Sequence, residues 1–352
     1  MTRDTLKRAL LDSLRLNRSV VLVMLAYILS AFILGRLTGF DVSLRLYNVT
    51  WLVVCFMTLC LVLIPFLCVR FYRHRPTSPV RFTRHLLVTD LRVFERGIVA
   101  LPCVLLFPLF TSAFTSVKSA ISLMHPFRLD PLFARLDSIL HGGHAWELLH
   151  PVVGFPLITF VLNFTYNLWF LVAWIVFALV TVLASSRKLR EQYLLAFCGC
   201  WILLGSVAAI GLSSVGPCYY GLLHPTDPYA PLMSYLRSVN DIYPIWALST
   251  QDMLWDAHVS NTPGLGSGIS AMPSLHVAIA ALNAILLTKL SRTAGMLGWI
   301  YLVMIFVGSV HLGWHYAIDG YVSIVGVLLI WRAAGWWVAR STTPAPVAVV
   351  ST

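Results

Sequence analysis

The chain predicts an all-α integral membrane protein, and three observations carry that reading. Of its 352 residues, 59% are hydrophobic and only 11% charged, where soluble domains carry about 25% charged residues. The mean hydropathy is +0.81. Eight apolar segments approach or exceed the roughly 20 residues that a helix needs to cross a bilayer. The basic residues collect between alternate segments. The formal net charge of +11 therefore reads as topology, not as a nucleic-acid footprint, and no nucleic-acid partner is expected.

The eight spans are expected near residues 18–35, 49–69, 97–115, 152–184, 193–212, 272–290, 295–312 and 315–338. The first has no small-residue cleavage site after it and is read as a retained helix. The fourth is long, and a break is expected near Pro156. With both termini in the cytoplasm, only six of the 25 Lys and Arg fall outside: Arg36, Arg45, Lys118, Arg128, Arg135 and Arg237. That asymmetry is the positive-inside pattern. A bacterial inner membrane is the expected location.

Two outward segments exceed simple turns. Residues 116–151 contain apolar side chains at 132, 133, 136, 139 and 140, a helical spacing that predicts an interfacial helix. Residues 213–271 read as a long Pro/Tyr-rich loop followed by Gly264, Gly266 and Gly268, and loops of that length usually serve function. Seven cysteines lie mostly in apolar runs without zinc-ligand spacing and read as packing residues. The tail after residue 338 is expected to be disordered.

Two motifs carry chemistry. One is Ala271-Met272-Pro273-Ser274-Leu275-His276. The other is His311-Leu312-Gly313-Trp314-His315-Tyr316-Ala317-Ile318-Asp319. Both are expected at the outer boundary, and ionisable groups placed in a membrane span are functional candidates. If a helix opens near residue 315, Asp319 lies one turn beyond His315 on one face. A carboxylate there accepts from Nδ1–H, leaves Nε2 free and steadies the charge formed on attack. His315 is then a candidate nucleophile for phosphoryl transfer, and His276 a general acid–base. Ser274 and first-turn N–H groups beside Leu275 are candidate phosphate donors. The alternative, a metal held by His311, His315 and Asp319, is disfavoured because Gly313 and Trp314 interrupt the helix. No metal and no cofactor is expected.

Pro273-Ser274-Leu275-His276 with His315-x-x-x-Asp319 resembles the type 2 phosphatidic acid phosphatase superfamily. The resemblance covers residues 97–338. It implies a six-helix catalytic core, with residues 1–96 adding two N-terminal transmembrane helices and a basic loop, and 339–352 the tail. It also implies a phosphohistidine on His315, with Asp319 orienting it and His276 as acid–base. Three features depart from the common pattern: Leu275 stands for a glycine, Ser309 for an arginine, and no outer Lys is followed by Arg-Pro. All three are similar to the inositol phosphorylceramide synthase branch, as is Gly216-Pro217-Cys218-Tyr219-Tyr220. Leu275, Ser309, Tyr219 and Tyr220 are accordingly expected at the substrate. Arg237, with Arg135 and Arg128 behind it, is the candidate for neutralising phosphate. The resemblance implies a lipid phosphate substrate and membrane lipids as partners. The rivals are a plain lipid phosphate phosphatase, including one for polyprenyl pyrophosphate, and a non-enzymatic transporter or scaffold.

Overall fold

A computed structural model describes residues 3–341 apart from 185, 261 and 263. The elements are helices, with no strand among the described residues. Among the described residues, seven helices are long and apolar enough to cross a membrane: α2 (Arg18–Thr38), α3 (Asn48–His74), α4 (Val93–Ser119), α7 (Pro156–Leu183), α8 (Arg187–Gly211), α12 (Arg292–His311) and α13 (Ala317–Ser341). The eighth expected span is α11 (Leu275–Leu290), at 16 residues. Its shortness has a packing reason. Residues 277–284 are all buried, so α11 sits inside the bundle and need not match the lipid thickness. Ser274 caps its start through the Val277 N–H, and Ser291 caps the start of α12 through the Ala294 N–H.

The outer helices are apolar towards lipid. Leu52, Val53, Phe56, Leu59, Leu61 and Ile64 of α3 are exposed, which suits a hydrocarbon solvent and no other. The fourth expected span divides where anticipated. A short helix, α6 (Ala145–Val153), stops at Gly154, and Pro156 opens α7 in the first turn, where a missing N–H costs nothing. Within 116–151, where a helix was expected, stands α5 (Asp130–His141).

Two features differ from the sequence reading. An amphipathic α1 (Arg3–Leu16) precedes the first span. The 213–271 segment is not a loop throughout but carries α9 (Ala230–Asn240) and α10 (Trp246–Val259). Buried Leu232, Met233, Leu236 and Val239 repeat at helical spacing in α9, a signal that the surrounding prolines and tyrosines obscure. The expectation for the tail after 341 lies outside the described residues.

Candidate active site

α12 ends at His311, and a five-residue turn with Gly313 at φ 75° leads to α13. The Trp314 and His315 N–H groups both donate to the Ser309 carbonyl, at 3.0 and 3.1 Å, which fixes the turn. His315 Nδ1 lies 2.8 Å from the Ala271 carbonyl and 3.2 Å from Asp319 Oδ2. A backbone carbonyl can only accept, so Nδ1 carries the proton and Nε2 holds the free lone pair. Asp319 Oδ2 also accepts from the Tyr316 N–H at 3.1 Å. Asp319 is fully buried and stands in the first turn of α13, where the helix dipole favours a carboxylate.

His276 is the second residue of α11. Its ring lies between Tyr166, stacked at 4.5 Å and 19°, and Trp169, at 4.2 Å. Trp169 also donates its indole N–H to the His276 carbonyl at 2.9 Å. The two aromatic rings leave this imidazole little rotational freedom. Its ring centre is 6.1 Å from that of His315.

Both histidines line a cavity of about 240 Å³. Leu275, Tyr219, Trp201, Phe170 and Phe114 line the same space, and Lys118 is its only cationic side chain among the described residues. Lys118 comes from the end of α4, and the glycine loop 264–268 is drawn tightly over it. Gly268 has φ 96°, and a Cβ there would stand 2.6 Å from the Lys118 backbone, so the approach requires glycine. Ser119 and Ser267 hydroxyls, 2.8 Å apart, close the seam. Tyr47, preceding α3, reaches this cavity too. Its hydroxyl accepts from the Gly266 N–H at 2.9 Å and meets Thr115 Oγ1 at 3.0 Å. The cavity backs onto α8, where residues Cys200–Ala208 widen into π-helical turns, a distortion frequent at functional sites.

A family model described as the PAP2 superfamily matches residues 131–335. The chain belongs to the PAP2 superfamily. This makes it a membrane enzyme of the general lipid phosphatase and phosphotransferase type, acting on lipid phosphate. No curated protein and no solved structure matches it.

Against the expected site residues, this PAP2 chain brings His276, His315, Leu275 and Tyr219 to one cavity, with Asp319 bonded to His315 from behind. Ser274 is fully buried and its hydroxyl is used as the α11 cap. The Ser309 hydroxyl donates to the Phe306 carbonyl at 2.7 Å, within its own helix. Its carbonyl does the positioning instead. Tyr220 lines a separate cleft with Arg135 and Asp227. Arg237 and Arg128 are exposed and line none of the described cavities. Lys118 occupies the place for which Arg237 was the candidate, because α4 ends at the cavity whereas α9 turns Arg237 outward. His311 bonds Thr159 Oγ1 at 2.9 Å and does not join His315 and Asp319, so the three do not form a ligand set.

Two further carboxylates hold the His315 turn. Asp130, fully buried on α5, accepts from the Val215 and Gly216 N–H groups at 2.9 Å each and from the Tyr316 hydroxyl at 2.8 Å. Asp137 accepts from the Ile318 N–H at 3.1 Å. Gly216, at φ 91°, packs so close to the Trp314 carbonyl that a Cβ would stand 2.6 Å away. The Cys218 N–H donates to the Gly313 carbonyl at 2.8 Å. Helix α5 and the 216–220 segment are thus both latched to the turn that bears His315. Burial pushes both carboxyls above the ordinary carboxylate range, against the opposing effect of their N–H donors.

Proposed function

We propose that this protein is a lipid phosphotransferase that works on the outer membrane face through a phosphohistidine at His315, in the manner of an inositolphosphotransferase. The observation that carries the reading is the His315 ring itself. Two acceptors hold its Nδ1 proton, while the ring lines the same cavity as His276 and Lys118.

In the first step Nε2 attacks phosphorus. The N–P bond forms as the bond to the leaving oxygen breaks, and that oxygen takes a proton from His276. A phosphate anion between the rings stabilises the imidazolium form that this step requires. Lys118 balances charge on the phosphoryl oxygens, and Asp319 stabilises the imidazolium that develops at His315. In the second step an acceptor hydroxyl gives its proton to His276 and attacks phosphorus, and the N–P bond breaks. Water wins this step unless the site excludes it and holds another hydroxyl in line. The aromatic walls supply exclusion. Tyr166 Oη, Trp201 Nε1, Trp314 Nε1 and Ser270 Oγ are buried donors without a partner among the described residues, and all four residues line the cavity. A headgroup or acceptor rich in oxygen satisfies such groups.

The test is purified protein incubated with labelled phospholipids, with and without alcohol acceptors, and products read by mass spectrometry. The expected result is transfer to an alcohol and an acid-labile phosphoprotein. His315→Ala should abolish the phosphoprotein, and His276→Ala should slow turnover by about 10²–10⁴-fold. Full turnover in His315→Ala would overturn the mechanism. Release of only free phosphate or phospho-headgroup across a broad acceptor panel would make the protein a hydrolase.

A further inference from the structure

At the other end of the bundle lies a second cavity, of about 210 Å³, with a different chemistry. It sits among the start of α4, the end of α7 and the start of α8, and Arg92, Arg96, Arg190 and Glu95 line it. Along α4 alone, Arg96 is 22 residues from Lys118, roughly 33 Å at the helical rise. The cavity therefore plays no part at the histidine site.

The groups around it do not balance. Arg92 pairs with Glu95, and Arg96 donates to the Leu183 carbonyl at 2.8 Å. Arg190 is 8% exposed. Its Nε donates to the Thr181 carbonyl and its Nη1 to Asn17 Oδ1, both at 2.8 Å. Its Nη2 is buried and has no hydrogen-bond partner. Glu191, next along the helix, accepts from Ser19, and no ion pair among the described residues includes Arg190. The Glu191 carboxylate acts on this guanidinium only through space, with Arg187 opposing it, and the Cys103 thiol that touches it brings no formal negative charge. A buried cation with no directly paired anion and one donor unmet is costly, and it is tolerated where an anion completes it. The position suits a phosphate. The cavity opens at the ends of membrane-spanning helices, and exposed Phe94, Leu101 and Leu183 beside it are apolar. Basic pockets between transmembrane helices are a recurring way to hold anionic headgroups.

We infer that the cavity framed by Arg92, Arg96 and Arg190 binds the phosphate of an anionic phospholipid, at the membrane face opposite the histidine site. Arginine is suited to it because its planar fork meets phosphate oxygens with two donors at once.

The experiment is native mass spectrometry and thermal unfolding of the full chain, presented with phosphatidylglycerol, with phosphatidylcholine, and with inorganic phosphate alone. Wild type should retain phosphatidylglycerol about tenfold more tightly than phosphatidylcholine and should unfold at a higher temperature in its presence. Arg96→Gln should lose most of that preference while turnover at the histidine site stays at the wild-type level. Arg190→Gln should lose it too, and Arg190→Lys, which keeps the charge, should retain part. Because Arg96 is partly exposed and makes one backbone bond, its variant keeps the test alive if Arg190→Gln fails to fold. Equal binding of the two lipids, or an unchanged preference in Arg96→Gln, would overturn the proposal. Stabilisation by inorganic phosphate without a preference between the lipids would overturn the lipid assignment.

Discussion

Asp130→Asn is the most exacting test of how the His315 turn is held. Asparagine keeps one acceptor oxygen and replaces the other with an NH₂ group. The better orientation leaves the carbonyl at the Oδ1 position, where it still receives the Gly216 N–H and the Tyr316 hydroxyl. The Val215 N–H, now bound at 2.9 Å, then faces a second donor. Losing a charge-assisted bond and stranding a buried donor costs about 2–4 kcal/mol. Burial holds the Asp130 carboxyl above its usual range, a cost that asparagine escapes, so the lower end, about 2 kcal/mol, is expected. Asp130 does not line the catalytic cavity, so KM should change little. The turn it holds carries His315, and a displaced nucleophile should lower kcat about tenfold, equivalent to about 1.4 kcal/mol. Tyr316→Phe removes one bond of the same cluster. Thermal unfolding in detergent and steady-state turnover on both single variants and the double variant measure the coupling, expected at about 1 kcal/mol. Wild-type stability and kcat in Asp130→Asn, or strictly additive losses in the pair, would refute the reasoning.

Lys118→Met should lower kcat/KM by about 10²-fold, with Lys118→Arg recovering part of it; a variant within twofold of wild type would remove Lys118 from the site. Asp130 and Asp137 hold their protons above the ordinary carboxylate range, so the folded chain binds more protons than the unfolded one in that window. Stability from these groups should be complete below the ordinary carboxylate range and should decline as pH rises through the raised values. Asp137→Asn should flatten the decline, and a melting temperature that climbs across the window would contradict the sign. In a background without native cysteines, Asp241→Cys should react with an impermeant thiol reagent from outside, and Thr77→Cys should not. The reverse pattern would put the histidine site in the cytoplasm and change its substrate pool.

Hydrophobic length made the helical bundle legible, because lipid imposes one period and one minimum span on every crossing element. His315 and Asp319 were legible for a similarly local reason, their four-residue separation at a helix start, although His315 stands in the turn just before α13 and Asp319 in its first turn. Lys118 was not legible in this way. In the sequence it is one of six outward basic residues, and its place depends on α4 ending against a glycine loop 150 residues downstream. Asp130 and Asp137 look like ordinary polar positions on an amphipathic helix; only the tertiary partners at Gly216, Tyr316 and Ile318 reveal their use. Ser274 and Ser309 show the converse. Their residue type suits phosphate, but their hydroxyls are committed to the backbone of their own helices.

Tyr47 and Lys118 both precede residue 131, where the family match begins. The region that carries the family resemblance is therefore shorter than the stretch of chain that lines the cavity. A graft of residues 131–335 onto a foreign anchor would carry both histidines and their aspartate and leave behind the lysine and the tyrosine that brace the cavity.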